Sequence, residues 1–374
     1  MRKIYFRNDE SWNKLKAVML KKGVNTKGIA TLKNKDYSDS YELDFDDDKF
    51  DCLYFKSSFL RKTSKVFPGN LSVGIEYKYC DKKGEHLTYL FSKQIIKTGR
   101  VESYALKDTV NLSYRDDKSK NICVFIPESY DGTVPYDILY FFDAQNLFCN
   151  AGEYTENGDP YGSWQLDIVL SEIYRQYGKK IIVVGIDNAD MYRSQELFMN
   201  PAEFGELSVL GKNTPNENFS VGYLDSLSSF MVSTLHNFIK EKYYIDENNI
   251  GIGGSSMGGI AAFYCGLREM GFYKYVLSYS PAYGLYKMSA FKNYFNKLGF
   301  DKRQGSLPRI HIYCGGGDPL ERMLLPSAKK MKSLLVNCGY KPDLIFETYD
   351  FKKPHNEESW RLILPESFSL LLNL

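Results

Sequence analysis

The sequence is poor in histidine: four residues in 374. Chemistry that needs an imidazole base must therefore use His86, His236, His311 or His355. Paired cysteines are also lacking. Cys52, Cys80, Cys123, Cys149, Cys265, Cys314 and Cys338 are scattered, odd in number and never spaced as CxxC. Most lie in apolar runs such as "NICVFIP" and "RIHIYC", where a free thiol behaves as a small hydrophobe. This argues against a disulfide framework and for free thiols in a reducing compartment. No apolar run reaches the roughly 18 residues of a membrane span. The N-terminal "MRKIYFRNDESW" has no apolar stretch long enough for a signal peptide, so the expected location is cytoplasmic. An excess of one charge is missing too. The 48 basic and 46 acidic residues leave a net charge of +2, with no basic stripe or acidic tail to bind nucleic acid or an anionic membrane. There is no internal repeat and no low-complexity tract.

What is present suffices for a large core, because 43% of residues are hydrophobic. The length suits two domains, or one large domain with an appendage. Residues 1–97 carry short alternating segments, "KIYFRN", "YELDF", "DCLYFKSS" and "SVGIEYKYC", split by polar turns. That pattern predicts an antiparallel β-sandwich. In residues 98–374 strands alternate with amphipathic helices, the mark of a mostly parallel sheet with helices on both faces. Strands are predicted at "KNICVFIP", "YDILYFF", "KIIVVGID", "NIGIGGS", "YKYVLSYS", "RIHIYC" and "DLIFETYD". Helices are predicted at "WQLDIVLSEIYRQYG", "YLDSLSSFMVSTLHNFIKEKY", "GGIAAFYCGLREM", "SAKKMKSLLVNCG" and the C-terminal "ESWRLILPESFSLLLNL", which Pro365 should kink or break. Residues 200–220 form a long polar insertion, of the kind that covers a site or stays disordered.

The sharpest motif is Gly254-Ser255-Ser256-Met257-Gly258, a G-x-S-x-G between an apolar strand and an apolar helix. Such a strand-to-helix turn is so tight that its flanking residues must lack Cβ atoms, and it lifts the serine hydroxyl from the sheet edge. Ser256 is thus the candidate nucleophile, and the Met257 N–H, at a helix N-terminus, a candidate oxyanion donor. A Gly-rich turn serving only close packing is the plain alternative. Of the histidines, His311 sits in a strand, His236 in a helix and His86 in the N-terminal part. His355 alone follows a late strand in a polar loop, "DFKKPHNEESW", as a general base requires.

The acid should lie between them, after "RIHIYC", in "GGGDPLERM". Asp318 is the first choice. Yet Asp318-Pro319-Leu320-Glu321 also reads as a capping box, in which case Glu321 is the substitute. The second oxyanion donor is expected from "LYFFDAQNLF", as the backbone N–H of Gln145 or Asn146, with Asp143 as a buttress.

Together these segments resemble the putative-esterase family of α/β-hydrolases, which includes enterochelin, feruloyl and acetyl-xylan esterases, S-formylglutathione hydrolases and mycolyltransferases. The segments "ILYFFDAQNLF", "GSWQLDIVL", "IIVVGIDNADMYRSQEL", "NIGIGGSSMGGIAAFYCGL", "YVLSYSPAYG", "IYCGGGDPLE" and "HNEESWR" follow the family order across about residues 98–374. Where the family often has D-G-Q-N-L-F, this chain has Ala144. The resemblance implies an α/β-hydrolase fold and a serine carboxylic ester hydrolase without metal or cofactor. It puts the acid at Asp318. It also places Arg193 and Glu196 near the site mouth, as substrate contacts or as a structural salt bridge. The N-terminal part is similar to a starch-binding type of carbohydrate-binding sandwich, in which Trp12 would either stack on a sugar or sit in the core. Acyl esters of carbohydrates are the substrates this implies. Siderophore esters, or acyl transfer by the same triad, are the alternatives, and a non-enzymatic binding module is the reading of another class.

Overall fold

In the segment "YDILYFF" every residue is buried, which a strand achieves only when both sheet faces are covered. The computed structural model shows why. Ile138, Tyr140 and Phe142 point into one apolar core and Leu139 and Phe141 into another, on the opposite face. Each such side chain contributes roughly 1.5–3 kcal/mol by leaving water. The structure describes residues 98–148, 163–188, 192–213 and 221–372, and from the first 96 residues mainly the strands. The chain divides into two units, Met1–Ile96 and Lys97–Leu374.

The second unit holds an eight-stranded sheet. Its strands are β1 (Gly99–Lys107), β2 (Ser119–Pro127), β3 (Tyr136–Phe142), β4 (Ile181–Ile186), β5 (Ile245–Ser255), β6 (Tyr275–Tyr279), β7 (Arg309–Gly315) and β8 (Ile345–Asp350). Across the sheet the order is β1-β2-β4-β3-β5-β6-β7-β8. β2 is antiparallel to both β1 and β4, and the remaining neighbours run parallel. This is the α/β-hydrolase arrangement expected from the alternation of elements. The helices that carry the site are α2 (Met257–Arg268), α3 (Pro319–Asn337) and α4 (Glu357–Arg361); α1 (Leu166–Tyr177) and α5 (Leu364–Leu372) pack on the sheet.

Several elements depart from the sequence reading, among them the short helices Arg193–Glu196, Pro201–Phe204 and Val209–Asn213. β1 is not among the predicted strands, since as an edge strand it alternates only between half-buried and exposed residues. α3 begins at Pro319 rather than near Ser327, and runs through Pro326. The helix Met288–Leu298 was not predicted. Pro365 does separate two helices, sitting in the first turn of α5, where its missing N–H costs nothing.

The first unit holds two antiparallel sheets. One orders Lys33–Asn34, Ser40–Phe45, Arg2–Arg7, Leu87–Lys93 and Tyr77–Cys80. The other orders Lys27–Ala30, Lys16–Leu20 and Cys52–Lys56. Trp12 lies outside the described residues. Among the described residues no helix is long and apolar enough to cross a membrane, and Cys52, Cys123, Cys265 and Cys314 are buried free thiols.

Candidate active site

β5 ends at Ser255 and α2 starts at Met257, so a single residue, Ser256, makes the turn from strand to helix. Its backbone sits at φ 57°, ψ −116°, a region an L-residue occupies only when its surroundings hold it there. Those surroundings are visible. The Ser256 N–H donates to Tyr279 O (2.9 Å), and the Ser256 carbonyl accepts from Ala282 N (3.1 Å) and Ile260 N (3.2 Å). The flanking glycines leave no room for a side chain. A Cβ on Gly254 would stand 2.5 Å from Gly258 O, and one on Gly259 2.7 Å from Tyr279 O. A Cβ on Gly258 would stand 3.0 Å from Asp143 Oδ2. The geometry is that of a nucleophile elbow.

His355 lies in the loop between β8 and α4, just before Asn356, whose side chain caps α4 by accepting from Ser359 N (3.0 Å). The His355 Nδ1 faces Glu321 Oε1 at 3.1 Å. Ser256 and His355 line one cavity of about 270 Å³, together with Asp143, Gln145, Asn146, Trp164, Asn188, Arg193, Ser255, Glu357 and Trp360.

The family model described as Putative esterase matches residues 115–362, well over half of the chain. The chain belongs to this family. The esterase therefore acts on carboxylic esters. No curated protein matches its sequence. Among solved structures, it is similar to the siderophore hydrolase EstA from Aspergillus nidulans, with 14% identity and a TM-score of 0.53 over 74% of this chain and 97% of that one. It is also similar to the BES protein from Bacillus cereus (15%, 0.51, covering 75% and 97%). A third is an IroE-like serine hydrolase from Shewanella oneidensis (12%, 0.51, covering 72% and 78%). At such identities the likeness is one of fold.

One expectation is corrected. The sequence reading puts Asp318 at the imidazole, but the esterase has Glu321 there. Asp318 is the N-cap of α3: its Oδ1 accepts the Glu321 N–H (2.8 Å), and its Oδ2 accepts the backbone N–H of His355 (2.5 Å). It thus anchors the histidine's main chain while Glu321 reaches the ring. In a capping box Glu321 would fold back onto the N-cap; instead it points inward and is fully buried. Four donors surround it: Gly315 N (2.9 Å) and Cys314 Sγ (3.1 Å) at Oε2, and Ser280 Oγ and His355 Nδ1 at Oε1. Burial pushes its pKa up, but the hydrogen bonds from His355 and Ser280 outweigh this, so Glu321 ionises below its ordinary value. Asp318 is likewise held low: burial opposes ionisation, and the N–H groups of Glu321 and His355 prevail.

The other predicted residues divide. Asp143, in left-handed backbone (φ 60°), receives a fork from Arg193, Nε to Oδ1 at 2.7 Å and Nη2 to Oδ2 at 2.9 Å. Both residues line the cavity of the esterase. Glu196 does not, so of its two readings the structural salt bridge holds and the substrate contact does not. It is buried against Lys120, Arg115 (2.9 Å) and the Tyr114 hydroxyl (2.9 Å). Gln145 and Asn146 line the cavity. The Asn146 N–H is taken by Asp143 O (3.2 Å), and its side chain donates to Glu357 Oε1 (3.1 Å). Met257 is the first residue of α2, so its N–H lies in the open first turn.

Sequence reasoning assigned no role to Trp164, Asn188, Ser280, Glu357 or Trp360. Ser280 lies in "YVLSYSPAYG" and Trp360 in "HNEESWR", two segments that carry the family resemblance, and that was the available signal.

Proposed function

We propose that the chain is a serine esterase working through an acyl-enzyme, with Ser256 as nucleophile, His355 as general base and Glu321 as the acid that orients it. In this reading the Ser256 oxygen attacks the ester carbonyl while His355 Nε2 takes its proton. The tetrahedral adduct collapses, the alcohol leaves with that proton, and a water activated by His355 releases the acid. Glu321 holds the Nδ1–H tautomer and offsets the charge on the imidazolium. The oxyanion rests on the N–H of Met257 and, since the Asn146 N–H is engaged in its own turn, on that of Gln145.

The observation that carries this reading is the pairing of a strained Ser256 elbow with a His355–Glu321 pair on one cavity. The test uses p-nitrophenyl acetate and a serine-reactive phosphonate. Labelling should be stoichiometric at Ser256, and Ser256→Ala should lose about 10³-fold or more in kcat. A Ser256→Ala protein near wild-type rate would sink the proposal. Ser255→Ala, the neighbouring control, should keep most activity.

For substrate, we infer acyl esters of carbohydrates, of feruloyl or acetyl type, from the sequence resemblance of residues 1–97 to a sugar-binding sandwich. A siderophore ester is the second reading, favoured by the fold shared with a siderophore hydrolase. Comparing kcat/KM across feruloyl, acetyl and siderophore esters, with and without a sugar acceptor, separates hydrolysis of each class from acyl transfer.

A further inference from the structure

Ser280 stands directly after β6, with φ 40°, and is fully buried. Its N–H donates to Tyr313 O (2.6 Å), which fixes the backbone. Its hydroxyl contacts two groups. One is Trp360 Nε1, at 2.8 Å. The other is Glu321 Oε1. An indole nitrogen can only donate, and an ionised carboxylate can only accept. The single hydroxyl proton therefore has one place to go: Trp360 donates to the Ser280 oxygen, and Ser280 donates to Glu321.

Glu321 Oε1 is the oxygen that also faces His355 Nδ1. Trp360 touches the histidine as well. The His355 ring packs edge-on to the indole (4.9 Å between centroids, 86° between planes), and the indole stacks on Trp164 (5.4 Å, 25°). One side chain thus touches the base through its ring and the acid through Ser280. α4, which carries Trp360, is itself capped by the residue after His355.

We propose that Ser280 and Trp360 are positioning residues that hold Glu321 and His355 in register, acting in series through the Ser280 hydroxyl. The inference rests on the assignment of His355 and Glu321 as base and acid. Without the Ser280 hydroxyl, Glu321 loses one of the donors that spread its charge. It then binds the imidazolium more tightly, and its carboxylate is free to turn. Without the indole N–H, the Ser280 proton is no longer steered towards Glu321.

The test compares Ser280→Ala, Trp360→Phe and the double variant in the full chain. Two readouts are taken: kcat and KM for p-nitrophenyl acetate across pH, and the titration of His355 by NMR on histidine-labelled protein. Ser280→Ala should lower kcat about tenfold, the scale of one hydrogen bond to a charged group, with KM little changed. It should also move both the acid limb of kcat/KM and the His355 midpoint to higher pH. Trp360→Phe, which keeps an aromatic face for His355, should shift both in the same direction by less. The double variant should be no slower than Ser280→Ala, because the two groups act in series. The proposal is overturned by a His355 midpoint that stays at its wild-type value in Ser280→Ala, or by losses that multiply in the double variant. Should Ser280→Ala not fold, an unmoved His355 midpoint in Trp360→Phe overturns it alone. The titration needs no turnover. An active Ser256→Ala would therefore defeat the proposed function without touching this result.

Discussion

The His355 ring and the His355 backbone are held by two different carboxylates three residues apart. Nδ1 faces Glu321 at 3.1 Å, and the main-chain N–H donates to Asp318 Oδ2. The first turn of α3 thereby does two tasks. Its cap fixes where the histidine loop lies, and its third residue fixes how the imidazole points.

The two carboxylates should separate in mutagenesis. Glu321→Gln leaves the imidazole without its anion and should cost on the order of 10⁴ in kcat, by the serine-protease precedent. Asp318→Asn keeps one oxygen for the cap but sets its amide group against the His355 N–H, so it should cost about 1–3 kcal/mol of stability and less turnover than Glu321→Gln. Steady-state kinetics and melting curves on both variants decide it. An inactive Asp318→Asn beside an active Glu321→Gln would return the acid to Asp318.

Acid stability should report Glu321. Its folded-state pKa lies below its unfolded one, so its contribution is complete above the ordinary carboxylate range and disappears as pH falls through the lower folded value. Asp318 acts in the same direction. The wild-type Tm should be steady down to about pH 5 and decline below about pH 4. Glu321→Gln should decline less over that interval. Parallel curves for the two proteins would mean that the linkage lies in other groups.

The glycines around Ser256 should rank by what a methyl group would strike. Gly254→Ala meets backbone, Gly258 O at 2.5 Å, which cannot move without breaking the elbow. Gly258→Ala meets Asp143 Oδ2 at 3.0 Å and Phe142 Cβ at 3.2 Å. Overpacking of this kind costs about 1–3 kcal/mol, and the larger loss belongs to Gly254→Ala. Thermal melts should show that order; a Gly254→Ala protein as stable as wild type contradicts the geometry.

Every residue assigned a catalytic role lies in the unit Lys97–Leu374. A fragment beginning at Lys97 should keep the kcat/KM of the full chain for p-nitrophenyl acetate. Loss of activity in a fragment with native near-UV circular dichroism would show that the first unit contributes to the site.

The alternation of apolar strands with amphipathic helices determined the α/β layers, because a strand such as "YDILYFF", apolar at every position but Asp137, has no other way to hide both faces. The G-x-S-x-G placed between strand and helix determined where the elbow falls, since only glycines fit around so tight a turn. The place of His355 beside Ser256 on one cavity was legible by elimination among four histidines. What the sequence left open was settled by contacts between distant segments. Asp318 and Glu321 share the same first turn, and capping chemistry alone cannot say which of them turns inward. That depends on Cys314 and Gly315 on β7, Ser280 after β6 and His355 after β8, which together supply the donors around one buried carboxylate. Glu196 stayed between two readings, substrate contact and structural salt bridge, for the same reason. Its partners Arg115 and Lys120 lie more than seventy residues earlier in the chain, and only the packing of β2 beside β4 brings them to it. A buried charge goes where its donors are, and donors from separate strands meet only in the folded sheet.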